Sequence, residues 1–178
     1  FSPTITAKMV IISTSGVVGD DKTNKIESLY NGLPIRGGER VAVRIKGNSN
    51  INKGLQFDTP ETYLYVSKIS NVLRDGQKEI FVLHLVSREA ITNEVTHVNR
   101  KFNSYSLIDT HVKDILKNDL KVKPNKYLGN IDSASNKYGF LGNLKSPFQI
   151  LVWLASKATP QTQSRGGFTG YFFYQTQD

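Results

Sequence analysis

Alternation of apolar and polar residues dominates the first half of the chain. Residues 5–11 and residues 40–46 each carry an apolar side chain at every second position. A repeat of two indicates a strand with one buried face. We therefore predict a strand over each segment. In the second one the exposed face is cationic, because it carries Arg40, Arg44 and Lys46.

Residues 61–87 have the pattern of a β-hairpin. Residues 61–73 are rich in Tyr, Val, Ile and Leu, and Asp75-Gly76 follows in a polar turn over residues 74–78. Glycine supplies the positive φ that a tight turn needs. The second arm, residues 79–87, is apolar at nearly every position, whereas a strand exposed on one face should alternate. We expect a barrel interior to cover one face and a helix or a neighbouring chain to cover the other.

The second half changes to helical periodicity. A helix is predicted from Leu107 to about Leu120, with Ser106 as its cap and Asp109 in the capping-box position. Its apolar residues fall on one helical stripe, which consists of Leu107, Ile108, Val112, Ile115, Leu116 and Leu120.

A second helix is predicted from Pro147 to about Ala158. Ser146 is its expected cap, Gln149 closes a capping box, and Pro160 ends the helix. Residues 170–178 are aromatic and are expected to form a strand that stops without a partner. We therefore expect the chain to be a fragment of a longer protein.

Strands followed by helices favour an α+β, mainly β protein or two small domains. The apolar hairpin ends near residue 87, and a polar stretch follows, so we place a boundary within residues 88–100. This gives a first domain over residues 1–92, which contains the strands, and a second domain over residues 93–178, which contains the two helices.

Composition narrows the function only in part. The chain has 23 Lys and Arg against 15 Asp and Glu, a net charge of +8, and no Cys. Disulfides and thiolate chemistry are therefore excluded, and no window is apolar enough to span a bilayer. A basic balance suits nucleic acid, an anionic membrane surface or an acidic protein partner. No run of five like charges occurs, so the chain has no basic tail.

No pattern of reactive residues emerges. The three histidines, His84, His97 and His111, lack the spacing of a metal site. Nucleophile motifs and phosphate-binding glycine loops are also missing. We expect no catalysis, no metal and no cofactor. One alternative is a nucleic-acid-binding barrel.

In that alternative, three aromatic residues of the hairpin, Tyr63, Tyr65 and Phe81, would stack on bases, next to Lys68 and Arg74.

The order of segments resembles the baseplate hub subunit of T-even-type contractile phages. Residues 4–9, 39–46 and 79–94 are similar to strands of its first domain. Residues 101–102 and the helix from Leu107 are similar to the entry of its second domain. Residues 147–155 and 171–174 are similar to the helix and the aromatic strand that follow. Spike proteins of type VI secretion systems share this plan and remain an alternative.

The resemblance implies a tail-tube-like antiparallel β-barrel over residues 1–92, followed by a second, incomplete barrel domain with two helices over residues 93–178. It also implies a trimeric, pseudo-sixfold ring with two such barrels per subunit. Such a ring joins the tail tube to the central spike, with sister subunits, a spike or tail lysozyme protein, and a tail tube or tube-initiator protein as partners. It is assembled in the host cytoplasm and lies in the virion baseplate. DNA passes through its lumen without specific binding, and no membrane is involved.

The apolar arm of the hairpin suits a strand face that a ring buries between subunits. We expect the subunit interface at Tyr63, Tyr65, Phe81, Leu83 and Leu85.

Overall fold

The computed structural model describes residues 2–14, 18–19, 26–27, 29–33, 35–48, 51, 54–75, 78–127, 130–161 and 170–176. The chain divides into two compact units. Thr6–Arg88 forms one, which we call the strand unit. Phe1–Ile5 and Glu89–Asp178 form the other, which we call the helical unit. The division follows Arg88, whereas the predicted domains meet between residues 92 and 93, and the first five residues belong to the later unit.

The strand unit holds a four-stranded antiparallel sheet in the order β1-β8-β7-β4, curled into a half-barrel. Together with the helices this makes the chain a mixed α and β protein made mostly of strands, as the sequence predicted at that level. The elements of this unit are β1 (Thr6–Ser13), β2 (Val18–Gly19), β3 (Ile26–Glu27), α1 (Leu29–Gly32), β4 (Arg40–Val41), β5 (Val43–Ile45), β6 (Leu55–Phe57), β7 (Leu64–Asp75) and β8 (Lys78–Val86).

Strand β8 lies between β1 and β7 and is hydrogen-bonded to both. Its side chains alternate between two faces, as the pleat requires. Phe81, Leu83 and Leu85 point to the buried face, where Leu64 and Val66 of β7 are also buried. These apolar side chains form the interior of the half-barrel.

The predicted hairpin is confirmed, since β7 and β8 pair antiparallel over most of their length. Its turn at Gly76 lies outside the described residues. The register shifts twice, between Val66 and Lys68 and between Ser70 and Leu73. Asn71 has a φ of 54° within the second irregularity. Such bulges bend a strand and increase its local twist, which suits a sheet that curls.

The single strand predicted over residues 40–46 is wrong. The segment forms two short strands, of which β4 pairs with β7 and β5 pairs with β6. The chain therefore leaves the main sheet at Ala42 and enters a two-stranded ribbon. Arg44 of this ribbon is ion-paired with Asp58, just after β6.

The helical unit contains two longer helices and a two-stranded ribbon of β9 and β10. Its elements are α2 (Arg88–Val95), which begins at the division, β9 (Lys101–Phe102), α3 (Ile108–Asn118), a 3₁₀ turn (Pro124–Lys126), β10 (Phe140–Leu141) and α4 (Pro147–Lys157). The predicted apolar stripe of α3 is confirmed, because Ile108, Ile115, Leu116 and Leu120 are buried in the core of this unit with Leu151 of α4.

The predicted cap of α3 is wrong. The helix begins after Leu107, and no side chain caps it. The Ser106 amide instead donates to Asn103 Oδ1 at 2.8 Å, in a turn before the helix. Asp109 accepts from Lys113 Nζ at 3.0 Å and from the Ala134 amide at 3.4 Å, so it closes no capping box.

Helix α4 begins at Pro147, as predicted, with Ser146 in the cap position. The Ser146 side chain makes no cap hydrogen bond. The Phe148 amide donates instead to Asn93 Oδ1 at 2.7 Å, and Asn93 is a buried residue of α2. The cap of α4 is therefore supplied by another helix. Orphan amides at a helix start need a partner of this kind.

Arg100 joins two carboxylates at the edge of the helical core. Its guanidinium donates to both oxygens of Asp119 at 2.7 Å and to Asp114 Oδ2 at 2.6 Å, and lies 4.8 Å from the centroid of the Phe102 ring. The hydrogen bond to Asp119, which is largely buried, is the main cause that raises the pKa of Arg100. These contacts of Arg100 therefore link the residues before β9 to the end of α3.

The aromatic segment near residue 172 is extended but does not form a regular strand. Phe173 and Tyr171 pack against the helical core, and the Phe173 ring lies 6.2 Å from that of Phe148. The segment has partners, contrary to the expectation, because the Gln175 amide donates to the Ser2 carbonyl at 3.2 Å and Gln175 Oε1 accepts from the Ile5 amide.

We predict that Asn93→Ala lowers the free energy of unfolding by about 1–2 kcal/mol, the usual cost of losing a helix cap. Ser146→Ala should change it by about 0.5 kcal/mol or less, because its hydroxyl caps nothing. Urea unfolding followed by circular dichroism measures both variants. Equal losses for the two variants would contradict the cap assignment.

We also predict that Arg100→Ala lowers the free energy of unfolding by about 2–3 kcal/mol, because it leaves the buried Asp119 carboxylate unpaired. Arg100→Lys should lose less, since it keeps the charge but not the paired geometry. Lys117→Ala, at an exposed position of α3, is the control and should be nearly neutral. A loss in the control as large as that of Arg100→Ala would exclude the proposed pairing.

Candidate interaction surface

The main sheet has a second face, opposite the half-barrel interior, which we call the outer face. Residues directly opposite in an antiparallel pair share a face. The register therefore arranges the outer face in five rows across the strands: Thr6, Val86, Tyr65 and Arg40; Lys8, His84 and Lys68; Val10, Val82 and Ser70; Ile12, Ile80 and Leu73; and Lys78 with Asp75.

Basic side chains lie together at one end of this face. We call Lys8, Lys68, His84 and Arg40 the basic band. In the described part of the chain, Lys8, Lys68 and Arg40 form no ion pair. The two rows of the band contain no carboxylate, and Asp75 lies opposite Lys78 at the far end of the face. The charge of the band is therefore not neutralised within its own rows.

A shallow cavity of about 480 Å³ opens at the basic band. Its lining includes Lys8, Ser67 and His84. His84 Nε2 lies 2.8 Å from Ser70 Oγ, and Ser67 Oγ donates to the His84 carbonyl at 3.1 Å. Ser67 is the residue of the first bulge in β7. Bulges redirect side chains in this way. The bulge residue thus contacts the backbone of His84, whereas Ser70 contacts its imidazole.

Exposed aliphatic side chains follow directly along the strands. Val10, Ile12 and Leu73 are 59%, 61% and 63% exposed, and Ile80 and Val82 between them are half-buried. We call these five residues the apolar band. Contiguous exposed apolar side chains of this kind usually mark a partner site.

Strand β1 forms one edge of the sheet. Among the described residues, its backbone pairs only with β8. The strand has eight residues, no bulge and no proline. An edge of this kind presents a row of unpaired amides and carbonyls that can pair with another chain. The opposite edge, β4, is short and has a different sequence.

The structure distributes the residues of the predicted interface over two environments. Tyr63 and Tyr65 are half-buried, and Tyr65 lies on the outer face. Phe81, Leu83 and Leu85 are at most 6% exposed, inside their own half-barrel. For these three the prediction is corrected, because side chains that form the core of their own unit are not available to a neighbouring subunit.

The residues that would bind nucleic acid are also divided between the two faces of the sheet. Tyr65 and Lys68 share the outer face. Phe81 is buried, and Arg74 lies on the other face, where its Nε donates to the buried Glu79 carboxylate at 3.0 Å. The stacking platform of Tyr63, Tyr65 and Phe81 is therefore not formed as predicted.

The histidine of the helical unit's core has a structural role. His111 is buried, with Nε2 at 2.9 Å from the Tyr138 carbonyl and edge-on contacts to Phe102 and Phe140. Within the described ranges, no group of three or more His, Cys, Asp or Glu side chains is arranged to hold a metal ion. Likewise, no described helix has the length and apolar character needed to cross a bilayer.

Comparison of the chain with known protein families, with curated proteins and with solved structures found no match.

The sequence pattern did not predict that Lys8 and Lys68 lie on one surface with Val10 and Ile12. Val10 and Ile12 occupy alternate positions of one strand with Lys8, which is the pattern of a single strand face. The prediction of this strand considered only the alternate residues on its half-buried face. The neighbours of β1 become visible only from the strand order.

We predict that Phe81→Ala lowers the free energy of unfolding by about 3–5 kcal/mol, as expected for a fully buried aromatic residue. Ile12→Thr should change it by about 1 kcal/mol or less, because the side chain is mostly exposed and threonine also suits a strand. Urea unfolding of both variants tests which face is the core. Similar effects would show that the two faces are assigned incorrectly.

Proposed function

We propose that this chain is a structural subunit of a contractile phage tail, part of a baseplate hub that forms a ring continuing the tail tube. One observation carries the proposal: the curled sheet of the strand unit ends in β1, a long regular edge that has no second ladder partner among the described residues. An edge of this length without a bulge favours pairing with another copy.

The two edges of the sheet differ, which bears on symmetry. An interface that joins unlike surfaces is heterologous, and it closes into a ring when the rotation between copies allows. Strand β1 and strand β4 are unlike in length and sequence. A head-to-tail ring therefore suits this sheet better than a twofold dimer.

The tail-tube-like barrel belongs to the proposal. The half-barrel is compatible with a barrel wall that sister subunits complete. The resemblance in the order of segments supports the specific assignment to a hub of the T-even type, with a trimeric ring of two tube-type domains per subunit. We further propose that the ring lies in the virion baseplate, after assembly in the host cytoplasm. Its partners there are the spike or tail lysozyme protein and a tube or tube-initiator protein.

A type VI secretion spike of the same plan would use the same edge and remains the alternative within this class. A nucleic-acid-binding barrel is the alternative outside it, favoured by the shared outer face of Tyr65, Lys68 and Arg40. Binding to a single-stranded oligonucleotide that weakens steeply with salt would support that alternative. Absence of binding at about 50 mM salt would eliminate it.

We predict that the protein forms closed trimers in sedimentation equilibrium at protomer concentrations up to about 100 µM, because assembly depends on mass action. The natural chain lacks cysteine, so single cysteines report contacts. Thr6→Cys or Val10→Cys alone should give no disulfide-linked dimer, since a head-to-tail ring does not bring β1 against β1.

Tyr105→Cys, at an exposed position of the helical unit, is the matched control for non-specific cross-linking. A protein that stays monomeric over this range would refute the proposed ring. Rapid dimer formation through Val10→Cys, but not through the control, would refute the head-to-tail arrangement.

A further inference from the structure

The outer face combines two kinds of surface within a short distance. Successive residues on one face of a strand lie about 7 Å apart, and neighbouring strands about 5 Å apart. From the row of Lys8 to the row of Ile12 is therefore about 14 Å along β1. The basic band and the apolar band meet at the row of Val10 and can be covered by one partner segment.

The basic band requires negative charge from a partner. Lys8, Lys68 and Arg40 have no ion pair in the described part of the chain, and their rows hold no carboxylate. The cavity at Lys8, Ser67 and His84 gives an acidic group a concave place to bind. Complementary charge of this kind governs partner choice and association rate.

A second copy of the chain is a poor occupant of this face. A twofold axis through the outer face would place Lys8 and Lys68 either near their own equivalents or against the apolar band of the other copy. Like charges placed opposite each other across an interface cost several kcal/mol.

The apolar band favours polypeptide over nucleic acid. Phosphates would satisfy Lys8 and Lys68 but would leave the exposed aliphatic side chains of Val10, Ile12 and Leu73 against water or charge. Protein interfaces combine an apolar core with charged groups at the rim, and this is the pattern of the outer face.

We propose that the outer face binds a polypeptide segment of another protein, one with acidic side chains at one end and aliphatic side chains at the other. The carboxylates occupy the cavity at Lys8 and His84 and reach Lys68, while the aliphatic side chains cover Val10, Ile12 and Leu73. This docking does not depend on the proposed ring, because it uses a face of the sheet and the ring uses the edge of β1.

The probe is a blocked synthetic peptide of about eight residues, long enough when extended to cover both bands, with glutamates in one half and valines and leucines in the other. A second peptide replaces the glutamates with lysines. Binding of each peptide is measured by ¹H–¹⁵N NMR titration of the protein. We expect shifts of the β1, β7 and β8 amides with the acidic peptide and none with the basic one.

Charge reversal tests the orientation. The double variant Lys8→Glu/Lys68→Glu should weaken binding of the acidic peptide about tenfold or more and should gain binding of the basic peptide. The double variant Val10→Ser/Ile12→Ser should weaken binding of the acidic peptide and should create no affinity for the basic peptide. The matched control Lys101→Glu/Lys117→Glu changes two exposed lysines of the helical unit and should leave both affinities unchanged.

Four results would overturn the proposal. Equal affinity for the two peptides would show that charge does not select the partner. Equal loss in the control variant would show that only the net charge of the protein matters. Displacement of the peptide by a single-stranded oligonucleotide, whose own binding is lost in Lys8→Glu/Lys68→Glu, would assign the face to nucleic acid. Loss of oligomers in the variant Val10→Ser/Ile12→Ser would assign the outer face to a second copy of the chain. A failed ring with intact peptide binding would refute only the proposed function.

Discussion

The central position of β8 is the constraint on which the strand unit depends. Because β8 is paired on both sides, its alternating side chains must be divided between two faces of one sheet. Phe81, Leu83 and Leu85 fill the half-barrel on one face. Val82, His84 and the other alternate residues are left on the opposite face, where they meet the exposed side chains of β1. The interior and the candidate interaction surface are thus two consequences of one strand.

Much of the fold could be predicted from local pattern. The hairpin of β7 and β8 was predicted because its apolar arms and Asp75-Gly76 turn are adjacent in the chain, and the stripe of α3 was predicted because helical spacing is local. The break at Ala42 could not be predicted, since it depends on which strand each half pairs with. The cap of α4 could not be predicted either, because Asn93 lies 55 residues from Phe148 in the sequence.

The candidate site was less accessible to sequence reasoning. The apolar run in β8 predicts a barrel interior on one face and a helix or a neighbouring chain on the other, and the structure has core on one face and half-buried residues on the other. The pattern alone does not say which alternate residues face inward, so the predicted interface included Phe81, Leu83 and Leu85, which form the interior. The basic band combines residues from β1, β4, β7 and β8, so it exists only once the strand order and register are known.

We propose that β1, which pairs only with β8 among the described residues, pairs with another copy when the protein assembles. Hydrogen exchange of the backbone amides of Thr6–Ser13, measured at low and at high protein concentration, tests this most directly. We expect alternate amides of β1 to become protected as the oligomer forms, while β8 amides are protected at both concentrations. Exchange of the β1 amides at one unchanged rate across the assembly transition would contradict the account.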